Sequence, residues 1–152
     1  MKTYEISAVA SAVVIIVGLF WYLGLVLAGR IQTVVASWIV STTALTLSFV
    51  TYFSSPHANW LGGTLNAASA FAVFCTTVAV YVRSKWDVTP IRFTPFQIKC
   101  LIASAGITIL WVVMKWGLHG TGVIPNVLTQ ILLIISYTML IVKFWNAQKN
   151  TE

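Results

Sequence analysis

The sequence predicts an all-α integral membrane protein with five transmembrane helices, and three observations point to this fold class. Of the 152 residues, 59% are apolar and only 8% are charged, and the mean hydropathy is +0.90. Soluble domains carry about 25% charged residues. The apolar residues form runs of about 20, the length that crosses a bilayer as a helix. These runs do not alternate with period two, which argues against a membrane β-barrel. A soluble enzyme, a disordered chain and a nucleic-acid-binding module are thereby excluded.

Five apolar runs reach the spanning length and form a single membrane domain. The first, second, third and fifth runs contain no charged residue. The run at 100–118 contains one, Lys115, near its end. The predicted spans are residues 6–28, 31–53, 58–82, 100–118 and 120–142. The first span is interpreted as a membrane helix and not as a signal peptide, because its apolar run exceeds the usual ~7–15 residues.

The join between the third and fourth spans, residues 83–99, is longer than the other joins. It reads RSKWDVTPIRFTPFQIK, with prolines at positions 90 and 95 that interrupt any helix. Its aromatic and basic side chains are typical of a segment that lies on anionic lipid headgroups. We expect a cytoplasmic connector at the membrane surface, and the alternative is an element that docks a partner. The residues assigned to this surface are Arg83, Lys85, Arg92 and Lys99.

The basic residues predict the orientation of the chain. With five spans, seven Lys and Arg residues fall on the side of the C-terminus and two on the side of the N-terminus. Cytoplasmic loops carry the excess of Lys and Arg, so the N-terminus is expected outside and the C-terminus in the cytoplasm. The expected location is the plasma membrane, which in a bacterium is the inner membrane.

A shift of 60 residues aligns the third span with the fifth, so that Asn66 meets Asn126 and Gly62 meets Gly122. The second span aligns more loosely with the fourth. This pattern predicts a parallel repeat of spans 2–3 and 4–5. Parallel repeats occur in transporters, where the solute binds near the middle of the membrane between the repeats.

No Asp or Glu lies inside a predicted span, since Glu5, Asp87 and Glu152 are at ends or in a loop. Carboxylate relays for proton or cation coupling therefore have no candidate. Neither the two histidines nor Cys75 and Cys100 form a metal-ligand spacing or a disulfide framework. We therefore expect no enzyme activity, no metal site and no cofactor.

Neutral polar residues inside the spans are the remaining candidates for a binding site. A buried carboxamide has four hydrogen-bonding positions, which an apolar bundle rarely satisfies. A tryptophan in the middle of a span either finds a partner for its N–H within the bundle or stacks on a ligand ring. Helix packing is the alternative interpretation of the small polar residues. The predicted substrate-binding residues are Asn66, Asn126, Trp111, Gln130 and Ser48.

The stretch ILWVVMKWGLHGTGVIPNVLTQILLIISYTMLIVKFW, residues 109–145, resembles the second and third helices of the SemiSWEET and PQ-loop transporters. Those helices pair a tryptophan with an asparagine, here Trp111 and Asn126, and the resemblance implies that both line a substrate pocket. The first three spans resemble a whole three-helix unit, in which Asn66 is the pocket asparagine. The proline–glutamine pair that names the family does not occur in the first span.

Two functions are compatible with these features. The first is a small homo-oligomeric facilitator that moves a neutral polar solute, similar to a sugar, nucleoside or vitamin, by SWEET-like alternating access. The second is a non-catalytic membrane subunit that docks partner proteins or lipids through its helix faces and its basic connector. Neither function involves a nucleic acid.

Overall fold

The computed structural model describes residues 3–30, 34–55, 60–86, 93–117 and 123–149. Its helices are α1 (Thr3–Leu27), α2 (Val35–Phe53), α3 (Trp60–Trp86), α4 (Pro95–Val112) and α5 (Val123–Lys149). A π-helical turn, Val113–Gly117, extends α4. The described residues contain no strand, and all five helices are long and apolar enough to cross a membrane. The predicted all-α membrane fold is confirmed.

Helix α5 continues to Lys149, beyond the predicted end of the fifth span at 142, and two further differences lie at the 83–99 connector. Helix α3 continues to Trp86, and α4 already begins at Pro95. Thr94 caps α4, because its side chain accepts from the Gln97 N–H at 3.3 Å and its own N–H donates to Gln97 Oε1 at 3.0 Å. Proline suits the first helical position, where its missing N–H has no partner to lose. Pro95 therefore starts a helix and does not interrupt a connector, and residues 87–92 lie outside the described part.

Helix α2 is the central helix of the bundle. It contacts α3 and α5 extensively and α4 more lightly, while α1 packs on α3 and α4 packs on α5. Thr51, near the end of α2, bonds to Trp111, near the end of α4, so these two helices are parallel. Ser37, near the start of α2, bonds to Ser136 at the middle of α5, while the end of α2 and the start of α5 line the same cavity, so this pair is antiparallel. Consecutive spans therefore alternate in direction, as a membrane topology requires.

The two ends of the bundle are named here by one residue each. The Gly29 end holds the end of α1, the end of α3 and the start of α4. The Ser55 end holds the end of α2, the π-helical turn and the start of α5.

The buried hydrophobic cluster of the described residues lies between α2 and α5. Small side chains of α2, among them Ala36 and Ala44, are buried against Leu132 and Met139 of α5. Three buried serines join the same two helices. The Ser136 hydroxyl lies 2.9 Å from that of Ser37 and 2.5 Å from that of Ser41. In lipid, close packing and such hydrogen bonds hold helices together, because lipid tails are as apolar as the side chains.

Large apolar side chains are exposed along the outer faces of the helices. On α1 they include Val14, Val17, Phe20 and Trp21, and on α5 they include Ile134 and Ile141. A monomeric soluble protein rarely exposes apolar patches of this extent. These faces are therefore suited to contact with lipid.

Helix α1 ends at a glycine that the backbone geometry requires. Gly29 has φ +70°, its N–H donates to Val26 O, and the Arg30 N–H donates to Leu25 O, both at 3.0 Å. These bonds form a Schellman motif, whose left-handed position favours glycine. A Cβ at position 29 would also lie 2.7 Å from Arg83 Nη2, so the guanidinium of α3 is seated directly against this turn.

We expect Gly29→Ala to lower the free energy of unfolding by about 1–2 kcal/mol, because alanine must adopt a left-handed backbone and displace Arg83. Thermal unfolding of the detergent-purified protein measures the effect. Gly24→Ala is the matched control, since it lies on the same helix and its added Cβ meets no atom within 4 Å. Equal melting temperatures for the two variants would contradict the requirement for glycine at position 29.

Candidate functional site

A cavity of about 410 Å³ lies toward the Ser55 end of the bundle, between α2, α3 and α5. This volume is within the ~300–1,000 Å³ of small-molecule pockets. The seven lining residues within the described part are neutral and carry hydrogen-bonding side chains. They are Ser48, Thr51, Tyr52, Ser55, Asn66, Asn126 and Gln130. We call this space the polar cavity.

Four of the five predicted binding residues line the polar cavity, namely Ser48, Asn66, Asn126 and Gln130. Asn126 and Gln130 are four residues apart on α5 and therefore share one face of the helix. Asn66 reaches the same cavity from α3, so the two asparagines that the internal repeat aligns converge on one space. Their role in binding a solute stays a prediction.

Thr51, Tyr52 and Ser55 also line the cavity but are not among the predicted residues. Thr51 and Tyr52 lie three and four residues after Ser48, and Ser55 lies four and three residues after them, which places hydroxyl groups along one side of α2 and its end. This spacing is visible in the sequence, although it is equally typical of a helix-packing stripe. Only the position of α2 beside α5 distinguishes the two.

Trp111 is not among the described residues that line the polar cavity, and its expected contact with the solute stays a prediction. Its side chain is 0% exposed, and its Nε1–H donates to Thr51 Oγ1 at 3.2 Å. The ring also packs edge-on against Trp116, with a centroid distance of 5.5 Å and an interplanar angle of 85°. Of the two alternatives for this tryptophan, the structure shows the hydrogen bond within the bundle. Trp111 supports the cavity wall from behind Thr51.

The Thr51 hydroxyl can form one further hydrogen bond, as an acceptor. It donates to Leu47 O at 2.8 Å and accepts from Trp111 Nε1, so one lone pair remains. Thr51 can therefore accept a hydrogen bond from a solute but not donate one. The carboxamides of Asn66, Asn126 and Gln130 can do both. Such a mixed set suits a molecule with hydroxyl or amide groups.

The start of α5 places Asn126 at the cavity. Val123 is the first helical residue, so the buried Pro125 lies in the first turn, where its missing N–H breaks no helical bond. The Thr129 hydroxyl donates to Asn126 O at 2.7 Å and stabilises this turn. Pro125 consequently starts the helix beside Asn126 without kinking it.

The polar cavity lies toward one end of the bundle, and the expected solute position near the middle of the membrane stays a prediction. Its lining on α2 runs from Ser48 to Ser55, and Ser48 is only five residues before the end of the helix. The middle of the α2–α5 interface is closed, because Ala44 and Leu132 are fully buried there. Close packing of these two side chains leaves no volume for a solute.

The basic residues assigned to the membrane surface are only partly described. Arg83 lies on α3 against Gly29, and Lys99 is exposed on the first turns of α4, so both are at the Gly29 end. The side chain of Lys85 and the whole of Arg92 lie outside the described residues. Within the described part, no three His, Cys, Asp or Glu side chains come together, and Cys75 and Cys100 are free thiols.

We expect Trp111→Phe and Thr51→Val to destabilise the protein in a coupled manner, because each change removes one partner of the same buried hydrogen bond. A double-mutant cycle on thermal or chemical unfolding should give a coupling energy of about 0.6–1.7 kcal/mol, as for hydrogen bonds between membrane helices. Additive effects would contradict the assignment of Trp111 as the support of Thr51.

The functional argument rests on the residues described above, because no known protein supplies a role that could be compared with theirs. Neither a scan against protein-family models nor searches of curated proteins and solved structures finds a match to this chain.

Proposed function

We propose that this protein is a small membrane facilitator that binds a neutral polar solute in the polar cavity. One observation carries the proposal: the seven described side chains that line a cavity of about 410 Å³ come from α2 with its C-terminal turn, α3 and α5, and all of them are neutral hydrogen-bonding groups. In a membrane protein, polar side chains are costly unless they are paired or line a water-filled space. The polar side chains of this cavity are therefore better explained by a bound solute than by helix packing.

The same bundle also contains polar residues that serve helix packing, namely the serines of the α2–α5 interface. Ser37, Ser41 and Ser136 are buried and bond to one another across the helices. Asn126 and Gln130, in contrast, are exposed on the cavity side, and Asn66 is half-buried. Side chains with this much accessible amide surface are suited to a ligand that comes and goes.

The chemistry of the lining indicates the class of solute. Among the described residues the lining contains no charged side chain, so these residues offer no counter-ion to a charged molecule. Hydroxyl and carboxamide groups match a sugar, a nucleoside or a vitamin-like compound. Because the described spans contain no Asp or Glu beyond Glu5 at the start of α1, transport is proposed to run down the concentration gradient.

The resemblance to the SemiSWEET and PQ-loop transporters supports this function, since the asparagine assigned to each unit lies at the cavity. Alternating access in a homo-oligomer is the mechanism that this resemblance implies. The distribution of Lys and Arg supports an N-terminus outside, which makes the Ser55 end the outer face of the plasma membrane. The polar cavity would then receive solute from outside the cell.

Asn126→Ala is expected to weaken solute binding by about tenfold or more, because it removes the donors and the acceptor of one carboxamide, worth about 1.4 kcal/mol or more. A panel of sugars, nucleosides and vitamins is screened by ligand-induced thermal shift, and uptake of each hit into proteoliposomes follows. A ligand that binds only the folded state at about 100 times its Kd stabilises the protein by about 2.7 kcal/mol.

Thr138→Ala is the matched control for this experiment. Thr138 is an exposed polar residue on the same helix, and its hydroxyl bonds only within the helix, to Ile134 O at 2.8 Å. It is expected to keep wild-type binding and uptake. Undiminished uptake in Asn126→Ala would contradict the site, and a stoichiometric membrane partner with no solute bound would favour the subunit function instead.

A further inference from the structure

A second cavity, of about 310 Å³, lies between α4 and α5 at the Gly29 end of the bundle. One wall is the start of α4, residues 94–97. The other wall consists of Met139, Val142, Lys143 and Asn146, which follow each other at intervals that place them on one face of α5. We call this space the α4–α5 crevice. Its described lining shares no residue with that of the polar cavity.

The lining of the α4–α5 crevice changes from apolar to polar toward the end of the bundle. Met139 is its innermost residue on α5, and Lys143 and Asn146 lie in the last turn of the candidate span Val123–Asn146. This span has 24 residues, which is about 36 Å at 1.5 Å per residue, whereas the hydrocarbon core is about 30 Å thick. The inner part of the crevice therefore lies at the depth of acyl chains, and the outer part lies at the depth of the headgroups.

The polar part of the crevice presents hydrogen-bond donors. The half-buried Lys143 carries three N–H donors and no acceptor, and the exposed Asn146 carries an amide nitrogen. The capping bond of α4 uses Oε1 of Gln97, so Gln97 offers its amide nitrogen as a donor. None of the described lining residues is acidic. A phosphate group matches this set, because it is negatively charged and its oxygens accept charge-assisted hydrogen bonds.

Positive charge is concentrated at the same end of the bundle. Among the Lys and Arg side chains that the structure describes, Lys115 lies at the Ser55 end, and the others lie at the Gly29 end, namely Arg30, Arg83, Lys99 and Lys143. The whole sequence contains only three Asp and Glu residues. Clustered Lys and Arg residues next to a membrane attract anionic lipids.

We propose that the α4–α5 crevice binds one anionic phospholipid, with its phosphate at Lys143 and the first part of an acyl chain against Met139 and Val142. A soluble anion would use only the polar part of the crevice, whereas a phospholipid matches both parts. A headgroup without an amine is expected, because an amine would bring a second cation close to Lys143. This site is distinct from the membrane surface expected for the 83–99 connector, to which Lys143 was not assigned.

A lipid in the crevice contacts α4 and α5 together. Helix α4 packs mainly on α5 and more lightly on α2, and its buried residues are Ser104 and Trp111, both away from the crevice. The crevice therefore lies where few buried side chains hold α4. Because a ligand that binds only the folded state stabilises it, bound anionic lipid is expected to raise the melting temperature of the protein.

Lys143→Gln tests the headgroup part of the site. Delipidated protein in detergent is titrated with phosphatidylglycerol or with phosphatidylcholine of the same acyl chains, and the bound lipids are counted by native mass spectrometry. The wild type is expected to bind one phosphatidylglycerol in preference to phosphatidylcholine. Lys143→Gln is expected to weaken that binding about tenfold or more, because a hydrogen bond to a charged group is lost, and Lys143→Arg is expected to retain it.

Lys99→Gln is the matched control for charge. Lys99 is exposed at the same end of the bundle and is not among the described residues of the crevice. This variant is expected to keep wild-type affinity for phosphatidylglycerol. Equal losses in Lys99→Gln and Lys143→Gln, or equal wild-type affinities for the two lipids, would overturn the site.

Val142→Phe tests the acyl-chain part without a change of charge. The added ring occupies the apolar part of the crevice, so phosphatidylglycerol binding is expected to weaken about tenfold or more. Ile141→Phe is the matched control, since Ile141 is 64% exposed on the outer face of the same helix. Excess inorganic phosphate is expected to leave the lipid bound. Its displacement by phosphate, together with unchanged binding in Val142→Phe, would overturn the lipid and favour a soluble anion.

Thermal unfolding gives a readout that does not depend on counting lipids. Phosphatidylglycerol is expected to raise the melting temperature of the wild type and of Lys99→Gln, but not that of Lys143→Gln. Equal stabilisation of all three proteins would contradict a role of Lys143. None of these measurements uses a solute or a residue of the polar cavity, so their outcome is independent of the proposed transport.

Discussion

The close contact between α2 and α5 is the interaction on which the rest of the structure depends. Small residues such as Ala36 and Ala44 let the two helices approach, and the bonds of Ser136 to Ser37 and Ser41 lock their register. In lipid no hydrophobic effect presses helices together, so such packing and hydrogen bonds must supply the association. The register that they set brings the end of α2 opposite the start of α5, and this creates the polar cavity.

Polar residues within the membrane fall into two groups that differ in environment and not in type. One group is buried or half-buried and bonded across helices, as in the serine cluster and in the half-buried Thr42–Thr77 pair of α2 and α3, whose hydroxyls are 2.6 Å apart. The other group lines the polar cavity and keeps accessible hydrogen-bonding atoms. The first group explains how the bundle is held together, and the second supports a binding function. Trp111 connects the two, because its buried N–H orients a cavity hydroxyl.

Several features could be predicted from the sequence because they depend on local properties of the chain. Charge-free apolar runs locate the helices, and the repeat of Asn66 and Asn126 singles out two residues of one cavity. The start of α4 was missed, since a proline both interrupts helices and begins them, and only the reciprocal bonds of Thr94 and Gln97 distinguish the two cases. Tyr52 and Ser55 were missed because a polar stripe has the same spacing whether it packs or binds.

Fold class, helix number and the neutral character of the candidate site thus follow from the order of residue types along the chain, because hydropathy and charge act over single helices. The position of the cavity near one end and the burial of Trp111 do not follow from it. They depend on which face of each helix contacts its neighbour and on the relative position of the two helices along their axes. Those relations arise from side-chain packing between segments that lie up to 99 residues apart, as Ser37 and Ser136 do, and no local pattern encodes them.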